Sequence, residues 1–310
     1  NGTWLAIWIS GLIGAALLVR HNLRVGRADR RSANRLASWL AVTFMLFWAF
    51  ENHHVNDAPT EVNRLFLAVG NAVYQTGTLW VMYLAIEPYA RRLWPDGLVG
   101  WTRLLSGRLK DSRVGREILL GCVIGAAQIL IELAQALVPP LLGRPTPRLL
   151  FGGSNFMLSG SWHVAGELAN STFNPIQSAL FICLLFVALR FALRRTWAAA
   201  VSTVLLLMIG SDGGAAANNG FGLITVFYVL QFTLIVVALF RFGLLVTTIA
   251  LMVDSIITNV PIPAHLSDWS AAPADWTIAL LIGLACFAFY ASRTGQPLFG
   301  ALSRSFDATH

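Results

Sequence analysis

Glu132 is the residue that most needs a chemical explanation, because it stands inside an otherwise apolar run. An ionisable group in such surroundings is costly and marks a functional candidate. Gln128 and Gln135 flank it at i−4 and i+3, which puts all three on one helical face. That face must turn into a bundle or a wet cavity. Two chemistries fit it: a proton, ion or ligand site, or an interhelical hydrogen-bond cluster, of which the cluster is the expectation. A second pair, His163 and Glu167, lies at i, i+4 in SWHVAGELANS, a spacing that can offer two ligands to one metal. His53, His54 and Asp57 are placed to complete such a site. Since HExxH is missing, helix capping or an interfacial role is the stronger expectation, and no metal is assigned. Ser211-Asp212-Gly213-Gly214 and Asn218-Asn219-Gly220 read as a Gly- and Asn-rich turn. Asp254 reads as a carboxylate near the end of an apolar span, snorkelling to the interface.

The sequence has no GxxxxGK[ST] phosphate loop, no GxSxG elbow and no kinase set of VAIK-type lysine, HRD and DFG. No catalytic residue is therefore assigned, and no cofactor is expected beyond a bound lipid.

The elements that must position these residues are set by composition. The chain has 310 residues, 56% hydrophobic and only 12% charged, with 11 Trp and 19 Phe. That is about half the ~25% charged share of soluble domains. The expectation is an all-α, polytopic membrane bundle. A spanning helix needs about 20 mostly apolar residues. Candidate spans are 3–19, 36–50, 62–86, 118–138, 173–190, 197–213, 221–240, 244–260 and 276–292, nine in number. Arg241, Phe242 and Gly243 separate the seventh from the eighth, and a helical hairpin is expected there rather than one long helix. Cys122, Cys183 and Cys286 lie in apolar runs without CxxC spacing and read as packing residues.

The net charge of +7 is explained by position, since 16 of the 22 Lys and Arg fall in three short stretches between apolar runs. These hold Arg20 to Arg35, Arg91 to Arg116, and Arg190 to Arg195. Such clustering is the signature of cytoplasmic loops, and nucleic acid is not the expected partner. Residue 1 is then outside and the C-terminus cytoplasmic. This orientation puts 19 of the 22 basic residues inside, leaving Arg64, Arg144 and Arg148 outside. The largest inner loop is 87–117, which Pro88 and Pro95 are expected to open by stopping the preceding helix. Its apolar and basic residues over 98–109 suit an amphipathic helix at the headgroup boundary. Arg91, Arg92, Trp94, Trp101, Arg103, Arg108, Arg113 and Arg116 are its candidate relay residues. The first segment lacks a basic leader and an A-x-A site, so a signal peptide is not expected.

Four stretches carry a resemblance. They are VRHNLRVGRADRRSANRLA at 19–37, IEPYARRLWPDGLVGWTRLLSGRLKDSRVGRE at 86–117, LRFALRRTWAAA at 189–200 and HLSDWSAAPADWTIALLIGLACFAFYASRTGQPLFG at 265–300. In order and over nearly the whole chain, they resemble the C-terminal polytopic membrane region of bacterial receptor-like serine/threonine protein kinases, such as those of acidobacteria. The resemblance implies a cytoplasmic kinase domain as partner in cis. These 310 residues contain no kinase domain, so the chain is expected to be either part of a longer one or a free-standing relative of the membrane module.

Three functions follow as expectations. The first is membrane anchoring and signal input for the kinase, with a possible homodimer. The second is a structural subunit packed against other membrane subunits. The third is a transporter or membrane enzyme using Glu132 and its neighbours.

Overall fold

The computed structural model describes residues 2–26, 29–51, 54, 56–143, 161–210, 222–260 and 272–293. Among these there is no strand. The long helices are α1 (Gly2–Arg24), α2 (Arg30–Glu51), α3 (Ala58–Leu93), α5 (Ser112–Leu141), α6 (Ser161–Leu193), α7 (Thr196–Gly210), α8 (Leu223–Phe242), α9 (Leu244–Asn259) and α10 (Ala272–Ser292). A 3₁₀ turn (Asp96–Leu98) and the short α4 (Val99–Leu105) fill the connection between α3 and α5. Each apolar segment marked in the sequence is helical over its described residues, apart from the end residues Gly222 and Val260. Five of the helices, α2, α5, α6, α8 and α10, are long and apolar enough to cross a membrane, while α7 and α9 are shorter apolar helices.

The centre of the bundle is built from α6, the second half of α3 and α9. Leu244, Leu245 and Val246 of α9 are buried in succession, as are Met82 to Ile86 of α3. A helix buried on all sides must be apolar all round, and its hydroxyls must satisfy themselves. Thr247 and Thr248 do so by donating to the carbonyls of Gly243 and Leu244, one turn back, at 3.0 and 2.9 Å. On the outside, Leu5, Ile9, Ile13 and Leu17 line one face of α1 and are about half exposed or more.

α5 and α9 approach closely because α5 presents Gly121 and Gly125 one turn apart. A Cβ at Gly121 would lie 2.6 Å from Cβ of Ile249, and one at Gly125 would lie 2.8 Å from the Ala250 carbonyl oxygen. This small-xxx-small spacing lets two backbones meet without an intervening side chain.

α3 does not stop at Pro88. It continues to Leu93 and ends at Trp94, just before Pro95. Proline removes the amide that should donate to the carbonyl four residues back, here Leu84. Asn22 of α1 supplies the missing donor. Its buried Nδ2 lies 3.0 Å from the Leu84 oxygen and 3.3 Å from that of Ala85. Replacing Asn22 by Leu is expected to lower stability by about 1–3 kcal/mol, the cost of an unsatisfied buried acceptor. Adding Pro88→Ala should restore most of it by returning the backbone donor. The thermal midpoints of the two variants check both statements.

α8 and α9 form the expected hairpin. Gly243 joins them with φ +103° and ψ −177°, and its amide closes α8 by donating to Ala238 and Leu239. Gln231 and Asp254, about equally far from Gly243 on the two arms, line one cavity, so the arms run antiparallel.

Connections of like charge gather at one end. Asp29, between α1 and α2, lies 3.5 Å from Arg91 near the end of α3. Arg35 donates to the Leu105 carbonyl at 3.2 Å. The start of α5 at Gly115 abuts Ala291 and Ser292 of α10. We call this the basic end.

Candidate functional site

Gln128 and Glu132 of α5 open onto a cavity of about 580 Å³. Gln135 is 2% exposed and does not line it. The sequence thus put three polar groups on one face, and the bundle divides them between a cavity and a packed interface. Gln177 and Ser178 of α6, Gln231 of α8 and Asp254 of α9 bring further polar atoms to the cavity wall. Trp8, Phe181 and Phe232 supply aromatic surface. The Trp8 and Phe181 rings touch, with centroids 4.8 Å apart.

Asp254 departs from expectation, for it does not snorkel to an interface. It lines this cavity together with Glu132, and its Oδ1 is buried without a hydrogen-bond partner. The cause is rotational: α9 faces α5 along Ile249, Ala250 and Val253, which sets residue 254 beside Glu132. Thr258, one turn further along α9, donates to Glu132 Oε2 at 3.0 Å. Gln128 is 5% exposed, and its Oε1 is also buried without a partner. Among the described residues lining the cavity there is no Lys, Arg or His.

A hydrogen-bond network continues from α9 to α6. Glu167 accepts from Asn259 Nδ2 at 2.9 Å, from Asn170 Nδ2 at 3.3 Å and from Ser171 Oγ at 3.4 Å. His163 Nδ1 lies 3.6 Å from Glu51 Oε2 of α2. These residues bind helix to helix. His54 and Asp57 are occupied locally. His54 Nδ1 meets Glu61, its Nε2 meets the Ala49 carbonyl at 3.0 Å, and Asp57 caps α3 by accepting from the Thr60 amide at 3.2 Å. Among the described residues no group of three or more His, Cys, Asp or Glu is arranged to hold a metal ion. His53 and the turns at 211–214 and 218–220 lie outside the described residues.

The contact with Glu61, aided by the Ala49 carbonyl, pushes the His54 imidazole above its ordinary range. A raised histidine stabilises the fold fully below its unfolded-state value, and that contribution disappears as pH rises through the folded value. The α2–α3 connection should therefore weaken with rising pH from about 6.5 upward. The effect is small, below about 1 kcal/mol, because the pair is largely exposed. Melting wild type and Glu61→Gln from pH 5 to 9 should show a difference that closes at high pH.

At the basic end, 87–117 comprises the end of α3 to Leu93, a docked connection over 94–111 and the start of α5 from Ser112. Trp101 is 2% exposed and Leu98 6%, so the apolar side of this region faces the bundle core, and its α-helix covers only Val99–Leu105. Trp94 packs on Phe186 and Phe240, with ring centroids 4.8 and 5.6 Å away. Three of the basic residues are tied down. Arg91 pairs with Glu87, Arg103 reaches both oxygens of Asp111 at 2.8 Å, and Arg113 lies 2.9 Å from Glu117. The Arg103 guanidinium holds the Asp111 carboxyl below the usual carboxylate range. Arg92 and Arg108 are exposed. Arg116 is exposed too and joins Arg113, its partner Glu117 and Arg241 around a hollow of about 340 Å³ that also presents Leu120, Phe242 and Val246.

Sequence reasoning missed Gln231, Gln177 and the aromatic wall of the cavity. Gln231 carried a usable signal, since it is a lone amide within the apolar α8 and invites the same argument as Glu132. The aromatics carried none, because Trp and Phe are common throughout the chain. Cys122, Cys183 and Cys286 are free thiols.

These features define a class: an all-helical bundle with apolar helices of membrane-crossing length around a polar, carboxylate-bearing cavity. Comparison of the chain with protein families, curated proteins and solved structures finds no match.

Proposed function

We propose that the chain is a nine-span inner-membrane module that receives a ligand in its cavity and supplies anchoring and signal input to a cytoplasmic serine/threonine kinase domain. One observation carries the receptor reading. The α8–α9 hairpin contributes Gln231, Phe232, Ile235, Leu251 and Asp254 to the cavity, and its turn at Gly243 rests against Gly97 of the basic-end segment. A ligand that favours one packing of the hairpin thereby acts on residues 94–111. Such a shift requires different affinity for two packings. Membrane insertion is supported by the apolar helices and by the exposed apolar face of α1. The gathering of Arg91, Arg103, Arg113 and Arg241 at one end supports residue 1 outside and the C-terminus in the cytoplasm. The kinase association is supported by the resemblance in 19–37, 86–117, 189–200 and 265–300. With Arg113 paired to Glu117, Arg116 and Arg241 are the cations of the hollow that suit an anionic lipid headgroup.

The kinase part is tested by the mass of the native chain isolated from its own membranes. A mass well above 33.8 kDa, with ATP-dependent autophosphorylation, is the expected result, and a mass near 33.8 kDa removes the kinase from this chain. The receptor part is tested by filling the cavity with Ser178→Phe. Folded yield should persist while the response of phosphorylation to the stimulus is lost.

The two carboxylates in one cavity favour a second reading, a transporter. Glu132→Gln should then abolish flux into proteoliposomes without loss of yield.

A further inference from the structure

We infer that the cavity between α1, α5, α6, α8 and α9 is a binding site for an organic ammonium ion, held by Asp254 and Glu132 against the rings of Trp8, Phe181 and Phe232. This rests on the reading of the cavity as a ligand site and names the chemistry of its ligand. The argument begins with charge. Glu132 and Asp254 line one cavity, and its described lining contains no basic side chain. Two carboxylates at membrane depth need a counter-charge or two protons. Glu132 has a hydroxyl partner in Thr258, whereas Asp254 Oδ1 has none.

The second observation is independent of the acids. Gln128 lines the same cavity, is 5% exposed, and has an acceptor oxygen buried without a donor. A buried acceptor without a donor costs roughly 1–3 kcal/mol, so the site lacks a donor group as well as a positive charge. An ammonium provides both.

The remaining choice is between an organic and an inorganic cation. A metal ion such as calcium needs about 6–8 oxygens closing around it at short distance. Here the volume is about 580 Å³ and much of the wall is aromatic and aliphatic. Aromatic faces attract ammonium groups and also cover the carbon skeleton attached to them. A ligand with a cationic head and an apolar body fits both halves of this lining.

The test uses the full chain in nanodiscs, with binding read by thermal shift and titration calorimetry. The probes are methylammonium, butylammonium and phenethylammonium, each with N–H donors, and tetramethylammonium (which has none), 2-phenylethanol and sodium chloride at matched ionic strength are the controls. At least one ammonium probe should bind saturably, at least tenfold more tightly than 2-phenylethanol, with no effect of sodium. Asp254→Asn should weaken that binding at least tenfold. Glu132→Gln and Phe232→Leu should each weaken it severalfold, and they carry the test if Asp254→Asn does not fold. Binding of 2-phenylethanol as tight as the ammonium probes, unchanged in the carboxylate variants, would overturn the cation assignment while leaving a ligand cavity. Stabilisation by sodium alone would overturn it in favour of an inorganic ion. If no probe binds, the ammonium assignment is overturned; if Ser178→Phe also leaves the response intact, the cavity reading falls with it.

Discussion

Trp101→Ala is expected to destabilise the protein by about 3–5 kcal/mol, the range for truncating a large buried aromatic. Trp101 belongs to the main hydrophobic core although it sits in a connection between helices, and its exposure is 2%. The loss should appear as a lower thermal midpoint and a smaller monodisperse fraction after solubilisation. Trp101→Phe provides the internal control. It keeps most of the ring area and removes an indole N–H that is buried without a partner, so its cost should be much smaller. A Trp101→Ala protein as stable as wild type would mean that the segment is a solvated linker. The same variant separates structure from signalling. Arg92 and Arg108 are exposed, and replacing either should leave the stability within about 0.5 kcal/mol of wild type.

Gly243→Ala should be comparably severe. Its backbone angles, φ +103° and ψ −177°, lie in a region essentially reserved for glycine, where another residue stores about 1–3 kcal/mol of strain. Space adds to conformation, because a Cβ there would run into the backbone of Gly97. Relief requires the hairpin turn and the 94–98 segment to separate. We therefore expect a loss of more than about 3 kcal/mol, which exceeds the strain cost because packing is lost too. Combining Gly243→Ala with Trp101→Ala should cost less than the sum of the two, since both loosen one docked segment. Hydrogen exchange should show residues 94–111 opening in Gly243→Ala before the helices do. A wild-type midpoint in this variant would remove the contact on which the proposed coupling depends.

The placement of helices was legible from composition and local pattern. Long apolar runs cannot be satisfied in contact with water, and a helix satisfies its own backbone, so each run became a helix with little help from its neighbours. At 241–243 the sequence favoured a hairpin over one long helix, and the structure confines the break to Gly243. The common face of Gln128 and Glu132 followed from helical periodicity alone.

Rotation, partners and docking were decided by tertiary structure. Asp254 has the same neighbours in sequence whether it faces an interface or a cavity. It faces the cavity because Gly121 and Gly125 let α9 close on α5 in one orientation. Pro88 should end a helix by local rules, yet α3 continues because Asn22, distant in sequence, donates to the Leu84 carbonyl. The pattern over 98–109 looked like a helix meant for a lipid surface, since periodicity reports an apolar face without saying what covers it. That cover is the bundle's own core, reached through the meeting of Gly97 with Gly243. Sequence determined which atoms were costly to leave unpaired, and the fold alone decided where their partners were.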